Sequence, residues 1–143
     1  MNGQIIPVSE AKISVFDWGL TRSDITYDVV RVWEGAFFRI EDYLDRFEVS
    51  MKKMRLDVGM DRSAIRNALI ELVATSGLQS AYVSMVASRG TPLIPGTRDP
   101  RGCRNHFYAW AVPFIWVIPE AVAKRGAHIS VARDSRRIPS NSV

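Results

Sequence analysis

The chain has 143 residues, and its 19 lysine and arginine residues against 15 aspartate and glutamate residues give a formal net charge of +4. Hydrophobic residues make up 47% and charged residues 24%, which is typical of a folded globular protein and excludes general disorder. The longest mostly apolar stretch, residues 107–118, contains Pro113 and is far shorter than the roughly 20 residues of a membrane-spanning helix.

The sulfur and imidazole groups limit the possible chemistry. The single cysteine, Cys103, excludes an intrachain disulfide, and His106 and His128 are too few and too far apart to predict a metal site. One cysteine and the lack of a signal-peptide pattern predict a reducing, cytoplasmic location. The sequence contains no phosphate-binding glycine loop, zincin motif or nucleophile-elbow motif.

Arginine dominates the positive charge, with 15 arginines against four lysines. The planar guanidinium fork fits phosphate and carboxylate groups, so the composition is compatible with a domain that handles small anions. The alternative is a set of solvated surface arginines. A nucleic-acid-binding module is the weakest hypothesis, because the arginines are dispersed and the aromatic residues lie in predicted strands.

The first part of the chain predicts a strand and then a hairpin. A short apolar run occupies residues 4–8 and is followed by a polar loop. Residues 26–33 are rich in β-branched and aromatic side chains, which predicts a strand. Glu34 and Gly35 give a tight-turn signal, and the strand pattern resumes at residues 37–40, so we expect a hairpin.

Two helices follow the hairpin. Residues 41–54 carry apolar side chains at spacings of three and four, namely Leu44, Phe47, Met51 and Met54. A second helix begins at Asp61 or Ser63, either of which can cap it, and ends at Gly77. Its predicted buried stripe is Ile65, Leu69, Leu72 and Val73.

The last third predicts two strands, a linker and the start of a second domain. Residues 81–87 and 107–118 read as strands, with a long loop over residues 89–104 between them. A hairpin beside two consecutive helices predicts an α+β domain with a mostly antiparallel sheet. We expect this small domain at residues 1–118, an interdomain linker at 119–127, and the first strand of a truncated large domain within 128–143.

Several segments resemble the N-terminal portion of the class IV (fold type IV) pyridoxal-phosphate aminotransferases, a group that contains branched-chain, D-amino-acid and (R)-amine transaminases. The most distinctive is the run from Arg22 to Phe47, which reads RSDITYDVVRVWEGAFFRIEDYLDRF. The resemblance continues through residues 89–90, 96–98, 112–117 and 132–139. It covers essentially the whole chain in matching order, with its nearest likeness in the amine-transaminase branch.

The resemblance implies a protein larger than this chain. In the family, a small α/β domain is joined by a short linker to a large domain, and pyridoxal 5′-phosphate lies between the two. The lysine that carries the cofactor as a Schiff base comes from the large domain, so the resemblance places it beyond Val143. It implies no catalytic residue in this chain, an amino donor and a 2-oxo acid acceptor as substrates, and a homodimer with neither nucleic acid nor membrane as a partner.

The resemblance also assigns roles to residues. Arg46 matches the arginine that grips the cofactor phosphate; the alternative is a helix ion pair of Arg46 with Asp42 or Glu41. Tyr27 and Val29 alternate onto one face of their strand and would line the substrate pocket; the alternative is that both are ordinary core residues of the strand. Tyr82 and Ser84 have the same spacing and would form another wall.

Three positions depart from the amine-transaminase branch. Ser84 stands where that branch often has an acidic residue, and Arg22, placed in the substrate pocket by the resemblance, stands where it often has histidine. Arg98 is a candidate for the mobile arginine that recognises the acceptor carboxylate, although Pro95 aligns with that arginine. A solvated loop charge is the alternative for Arg98, and a non-enzymatic domain for dimerisation or small-anion binding is the alternative for the whole chain.

Overall fold

The computed structural model describes residues 1–133 of the chain. In this part, helices and strands follow in the order α1 (Trp18–Arg22), β1 (Ile25–Trp33), β2 (Ala36–Phe37), α2 (Ile40–Met54), α3 (Arg62–Ser76), β3 (Ala81–Pro92), β4 (Cys103–Pro113) and α4 (Glu120–Arg125). Short 3-10 turns lie at Val8–Glu10 and Pro100–Gly102. None of the helices found between residues 1 and 133 is both long and apolar enough to cross a membrane.

The four strands form one antiparallel sheet in the order β2-β1-β3-β4. The predicted hairpin joins β1 to β2 through Glu34 and Gly35, which both have positive φ angles, 49° and 79°. Two consecutive positive φ angles match the right-handed twist of the flanking strands in a tight hairpin. The α+β class and the mostly antiparallel sheet predicted from the sequence are confirmed.

Helices α2 and α3 bury their apolar stripes against one face of the sheet. Phe47 of α2 and Leu69 of α3 are fully buried beside Val30, Val83 and other core residues of the strands. The predicted stripe residues of α2 lie in or against this core, and those of α3 do as well. The two helix periodicities in the sequence therefore identified the correct faces.

The ends of the two long helices show how the chain enters and leaves them. The Asp61 side chain accepts a 2.7 Å hydrogen bond from the backbone N–H of Ala64, so Asp61 is the cap of α3. Gly77 ends α3 in the left-handed conformation, as predicted. Helix α2 begins after Arg39 and ends at Arg55, both of which are also left-handed.

The predicted loop at residues 89–104 is too long at both ends, because only residues 93–102 connect the two strands. Strand β3 runs on through Gly90 to Pro92, and β4 begins at Cys103 and ends at Pro113 instead of spanning residues 107–118. A bulge between Ser88 and Thr91 places three residue steps of β3 against two steps of β4. Glycine and proline read as loop signals in sequence, whereas here they accommodate a bulge and a strand end.

Two other predicted strands are not formed. Residues 4–8 lie outside the sheet and lead into the turn at Val8–Glu10. Residues 128–133 form no strand, and they do not pair with the four-stranded sheet of residues 1–127. Residues 134–143, where the predicted large-domain segment continues, lie outside the described residues, and the division at 118 and 127 stays a prediction.

The sheet face opposite α2 and α3 carries the alternate residues of each strand and is called the open face here. Its members include Tyr27, Val29, Tyr82, Ser84, Tyr108 and Trp110. Helix α1 packs against β3 near one end of this face. Strand β2 pairs only with Val32 and Trp33 of β1, and the candidate site lies at the remaining edge of β1, between the open face and α2.

Candidate functional site

Arg46 forms a two-point ion pair across the fold, not along its own helix. Its Nε donates to Asp28 Oδ2 at 2.6 Å and its Nη2 donates to Asp28 Oδ1 at 2.5 Å. The hydrogen bond to Asp28 raises the pKa of Arg46, so the guanidinium is charged at any working pH. The alternative of a helix pair with Asp42 or Glu41 is wrong.

The two rejected partners of Arg46 are engaged elsewhere. Asp42 pairs with Arg39, three residues before it. Glu41 accepts hydrogen bonds from Arg62 and Arg66 of α3, and these bonds lower the pKa of its carboxyl. Arg46 is therefore left to Asp28, 18 residues earlier in the sequence.

A surface cleft brings Arg46 together with three of the six residues predicted to touch substrate. It has a volume of about 490 Å³ and is lined by Tyr27, Asp28, Val29, Tyr43, Arg46, Ser50 and Tyr82. The guanidinium carbon of Arg46 lies 4.9 Å from the centre of the Tyr43 ring. The ion pair of Arg46 and Asp28 and several aromatic side chains therefore surround the same space.

The strand register explains why these residues converge. Val29 of β1 lies opposite Ser84 of β3, and Arg31 of β1 lies opposite Tyr82 of β3. Val29 and Tyr82 are therefore diagonal neighbours on the same face of the sheet. Ser84 is 1% exposed and does not line the cleft. Of the predicted pair on β3, Tyr82 thus reaches the cleft, whereas Ser84 lies in the closely packed middle of the open face.

Arg22 and Arg98 lie outside this cleft. Arg22 is exposed at the end of α1, where its guanidinium carbon lies 3.9 Å from the centre of the Trp18 ring. Arg98 is exposed in the short loop between β3 and the turn at Pro100–Gly102. The loop of Arg98 follows Pro92, the last residue of β3. Eight residue steps separate Pro92 from Ser84, and at about 3.3 Å per residue they span roughly 26 Å.

A buried polar cluster holds α1 on the sheet. Asp17 is 1% exposed, and its Oδ1 accepts hydrogen bonds from the Gly19 N–H at 2.7 Å and from the Ser88 hydroxyl at 2.6 Å. His106 Nε2 lies 3.0 Å from Asp17 Oδ2. Burial, with a smaller effect of the Asp17 charge, raises the pKa of Tyr108. This cluster fixes the segment that ends in Arg22.

Sequence reasoning missed Asp28 and Tyr43 as members of the site. Asp28 carried a signal that could have found it, because it occupies a core-facing position of β1 in line with Val30 and Val32. A carboxylate at such a position needs a cationic partner. Tyr43 gave no comparable signal, since a half-buried aromatic residue on a helix is ordinary.

Other reactive groups do not build a second site. Burial raises the pKa of the Cys103 thiol, which lowers its thiolate fraction. Within residues 1–133, no group of three or more histidine, cysteine, aspartate or glutamate side chains is placed to hold a metal ion.

The cleft residues fit one part of a pyridoxal phosphate site. The side chain of Arg46 is 64% exposed, and two of its five N–H groups are used by Asp28. Three donors therefore remain for an anion such as a phosphate, whose geometry suits guanidinium. No lysine lines the cleft, so its residues include a guanidinium and aromatic side chains but no amine.

The sequence comparisons define the class of protein. The sequence profile of the family Amino-transferase class IV matches residues 26–142. The chain therefore belongs to the class IV aminotransferases, which use pyridoxal 5′-phosphate. D-alanine aminotransferase of Listeria monocytogenes is 26% identical over 137 residues, which cover 96% of this chain and 41% of that protein.

Solved structures agree with the fold. The T.th. branched-chain amino acid aminotransferase with pyridoxamine 5′-phosphate matches with a TM-score of 0.73 and 25% identity, over 80% of this chain and 39% of that chain. The Escherichia coli branched-chain enzyme matches with a TM-score of 0.76 and 20% identity, over 85% of this chain and 41% of that chain, which shows the shared fold. The chain spans less than half the length of the curated relatives that it matches.

Proposed function

We propose that this chain supplies the phosphate anchor and part of the substrate pocket of a pyridoxal-phosphate aminotransferase. The reaction transfers an amino group between an amino acid or amine and a 2-oxo acid. The observation that carries the proposal is the convergence of Arg46, Tyr27, Val29 and Tyr82 on one cleft. Family membership supports it independently.

Each of these residues has a physical task. The guanidinium of Arg46 binds phosphate through charge-assisted hydrogen bonds and orients the ligand from one end. Tyr27 and Tyr82 form aromatic walls that exclude water from one side of the bound substrate, and Val29 limits the room between them. When bound, the cofactor supplies the electron storage that amino transfer needs.

The reaction also requires an activated amine, and the four lysines of this chain do not provide one. Lys12, Lys52 and Lys53 are exposed on a loop and on α2. Lys124 pairs with Glu120, which raises its pKa, whereas a catalytic lysine needs a lowered pKa. We therefore assign the cofactor lysine to sequence beyond Val143, in a large domain joined through residues 119–127.

Arg98 fits the proposal only through a second subunit. Its loop begins beyond Pro92, roughly 20 Å along β3 from Val86, the partner of the cleft residue Tyr27, so the strand carries it away from the cleft of its own chain. A homodimer that brings this loop to the neighbouring cleft would let Arg98 bind the carboxylate of the 2-oxo acid. The alternative, a solvated charge, predicts that its replacement leaves substrate affinity unchanged.

Replacing Arg46 with alanine tests the anchor. In a full-length protein that carries this chain, we expect Arg46→Ala to weaken pyridoxal phosphate binding by about 2–3 kcal/mol, which is the scale for hydrogen bonds to a charged group. Equilibrium dialysis or fluorescence titration measures the change. The matched control is Arg66→Ala, an exposed arginine on α3 outside the cleft. Unchanged affinity in Arg46→Ala would refute the assignment.

A second prediction concerns the chain of 143 residues by itself. We expect no transamination when the purified chain is mixed with pyridoxal phosphate, an amino donor and a 2-oxo acid, because it lacks an activated lysine. Keto-product formation is measured against the full-length protein. Turnover by the chain alone would show that the lysine has been misplaced. A full-length protein that is also inactive would favour the non-enzymatic alternative.

A further inference from the structure

Asp28 is a buried carboxylate that the family assignment leaves without a role. It lies in β1 with its side chain 8% exposed, on the same strand face as the core residues Val30 and Val32. Placing an ionised carboxylate there is costly unless it is fully paired. Its persistence in the core therefore requires the partners described next.

Three donors hold this carboxylate. Oδ2 accepts from Arg46 Nε at 2.6 Å, and Oδ1 accepts from Arg46 Nη2 at 2.5 Å. Oδ1 also accepts the backbone N–H of Val29 at 2.7 Å. The hydrogen bond from the Val29 backbone holds the carboxylate in place on the strand. The two hydrogen bonds from Arg46 then restrict the position of the guanidinium.

The pair determines which part of Arg46 is available. Arginine is a long side chain with many rotamers, and on an exposed helix face it loses entropy when it binds an anion. Here the Nε–Nη2 edge is occupied, and the Tyr43 ring lies 4.9 Å from the guanidinium carbon. Nη1 makes no hydrogen bond with any of residues 1–133, and Arg46 is one of the residues that line the cleft.

We propose that Asp28 is a positioning residue, which holds one edge of Arg46 so that the Nη1 N–H groups of the guanidinium are presented to the cofactor phosphate. This inference rests on the proposed function of Arg46. The opposite electrostatic effect is also physically possible, since a carboxylate near the anchor repels a phosphate. The geometry favours positioning, because both carboxylate oxygens are paired with the guanidinium and its charge is already neutralised.

The test compares two ligands that differ only in the phosphate. Pyridoxal 5′-phosphate and pyridoxal are titrated against the full-length protein and against Asp28→Asn, and the ratio of the two affinities is measured. We expect Asp28→Asn to lower the preference for the phosphorylated ligand about tenfold, the loss of one charge-assisted hydrogen bond. Pyridoxal affinity stays the same. A purely structural role would weaken both ligands alike.

Matched variants separate the possible failures. Asp45→Asn, on the exposed side of α2, keeps the wild-type preference. If Arg46→Ala retains the phosphate preference, the proposed anchor itself fails. If Arg46→Ala loses the preference but Asp28→Asn keeps or enlarges it, only the positioning role of Asp28 is overturned. In the Arg46→Ala background, adding Asp28→Asn causes no further loss of preference.

A second substitution covers the case in which Asp28→Asn does not fold. Asp28→Glu keeps the charge and both oxygens but displaces them by one methylene, so it also moves the guanidinium. We expect Asp28→Glu to lower the phosphate preference with little change in pyridoxal affinity. A wild-type preference in a folded Asp28→Glu protein would overturn the inference.

Discussion

Replacing Arg89 with alanine is expected to destabilise the domain by about 3–5 kcal/mol, the range for removing one partner of a buried ion pair. Arg89 is 7% exposed, and its guanidinium binds both carboxylate oxygens of Asp24 at 2.8 and 3.2 Å. It also donates to the carbonyls of Arg55 at 2.8 Å and Met54 at 2.6 Å. These carbonyls lie at the C-terminal end of α2, where the helix has no further N–H groups to donate to them.

For Arg89→Ala we expect the melting temperature, measured by circular dichroism, to fall by about 10 °C or more. Arg89→Lys should recover only part of the loss, because an ammonium cannot reproduce the two-point contact. Arg101→Ala is the control, since Arg101 forms an exposed pair with Asp99, two residues away. Equal melting temperatures for Arg89→Ala and Arg101→Ala would contradict the structural role of Arg89.

The second large effect is expected for Gly90→Ala. Gly90 has a φ of +73°, and an added Cβ would lie 1.7 Å from the carbonyl oxygen of Arg104 on the neighbouring strand. Both the backbone conformation and the contact with β4 oppose a side chain. We expect a loss of more than about 3 kcal/mol, from left-handed strain combined with forced movement of the bulge.

Gly59→Ala separates the two contributions at Gly90. Gly59 has a similar φ of +68°, but an added Cβ would have no neighbour within 4 Å. Its substitution should cost only the conformational strain, about 1–2 kcal/mol. Urea unfolding of both variants measures the difference. Equal losses at the two positions would mean that the close approach of β4 to Gly90 is unimportant.

Local sequence patterns were sufficient to predict the elements that are stabilised by contacts within a few residues. The stripe of α2 and the capping of α3 by Asp61 follow from spacing and side-chain chemistry within a few residues. The hairpin turn at Glu34 and Gly35 is equally local. Helix α1 was missed because five residues carry no periodicity, and its attachment to the sheet depends on the distant Ser88.

For the candidate site, the sequence identified several residues that share a cleft but not the contacts between them. The family resemblance selected Arg46, Tyr27, Val29 and Tyr82, which share a cleft. It did not indicate the pairing of Arg46 with Asp28, because that contact joins two elements 18 residues apart. Competition among neighbouring charges decided it, since Arg39 and the α3 arginines engage the acidic residues nearest to Arg46.

Strand β2 is only two residues long, and its short length leaves the edge of β1 uncovered at the cleft. Pairing of β1 with β2 stops at Val32 and Phe37, after which Arg39 adopts a left-handed conformation and the chain turns into α2. Had the return strand continued in the same antiparallel register, Ile40 would lie beside Val29 and close that edge of β1. Hairpin length is therefore a geometric control on pocket size, and insertions at this corner could reshape ligand choice while the helix-packed core stays unchanged.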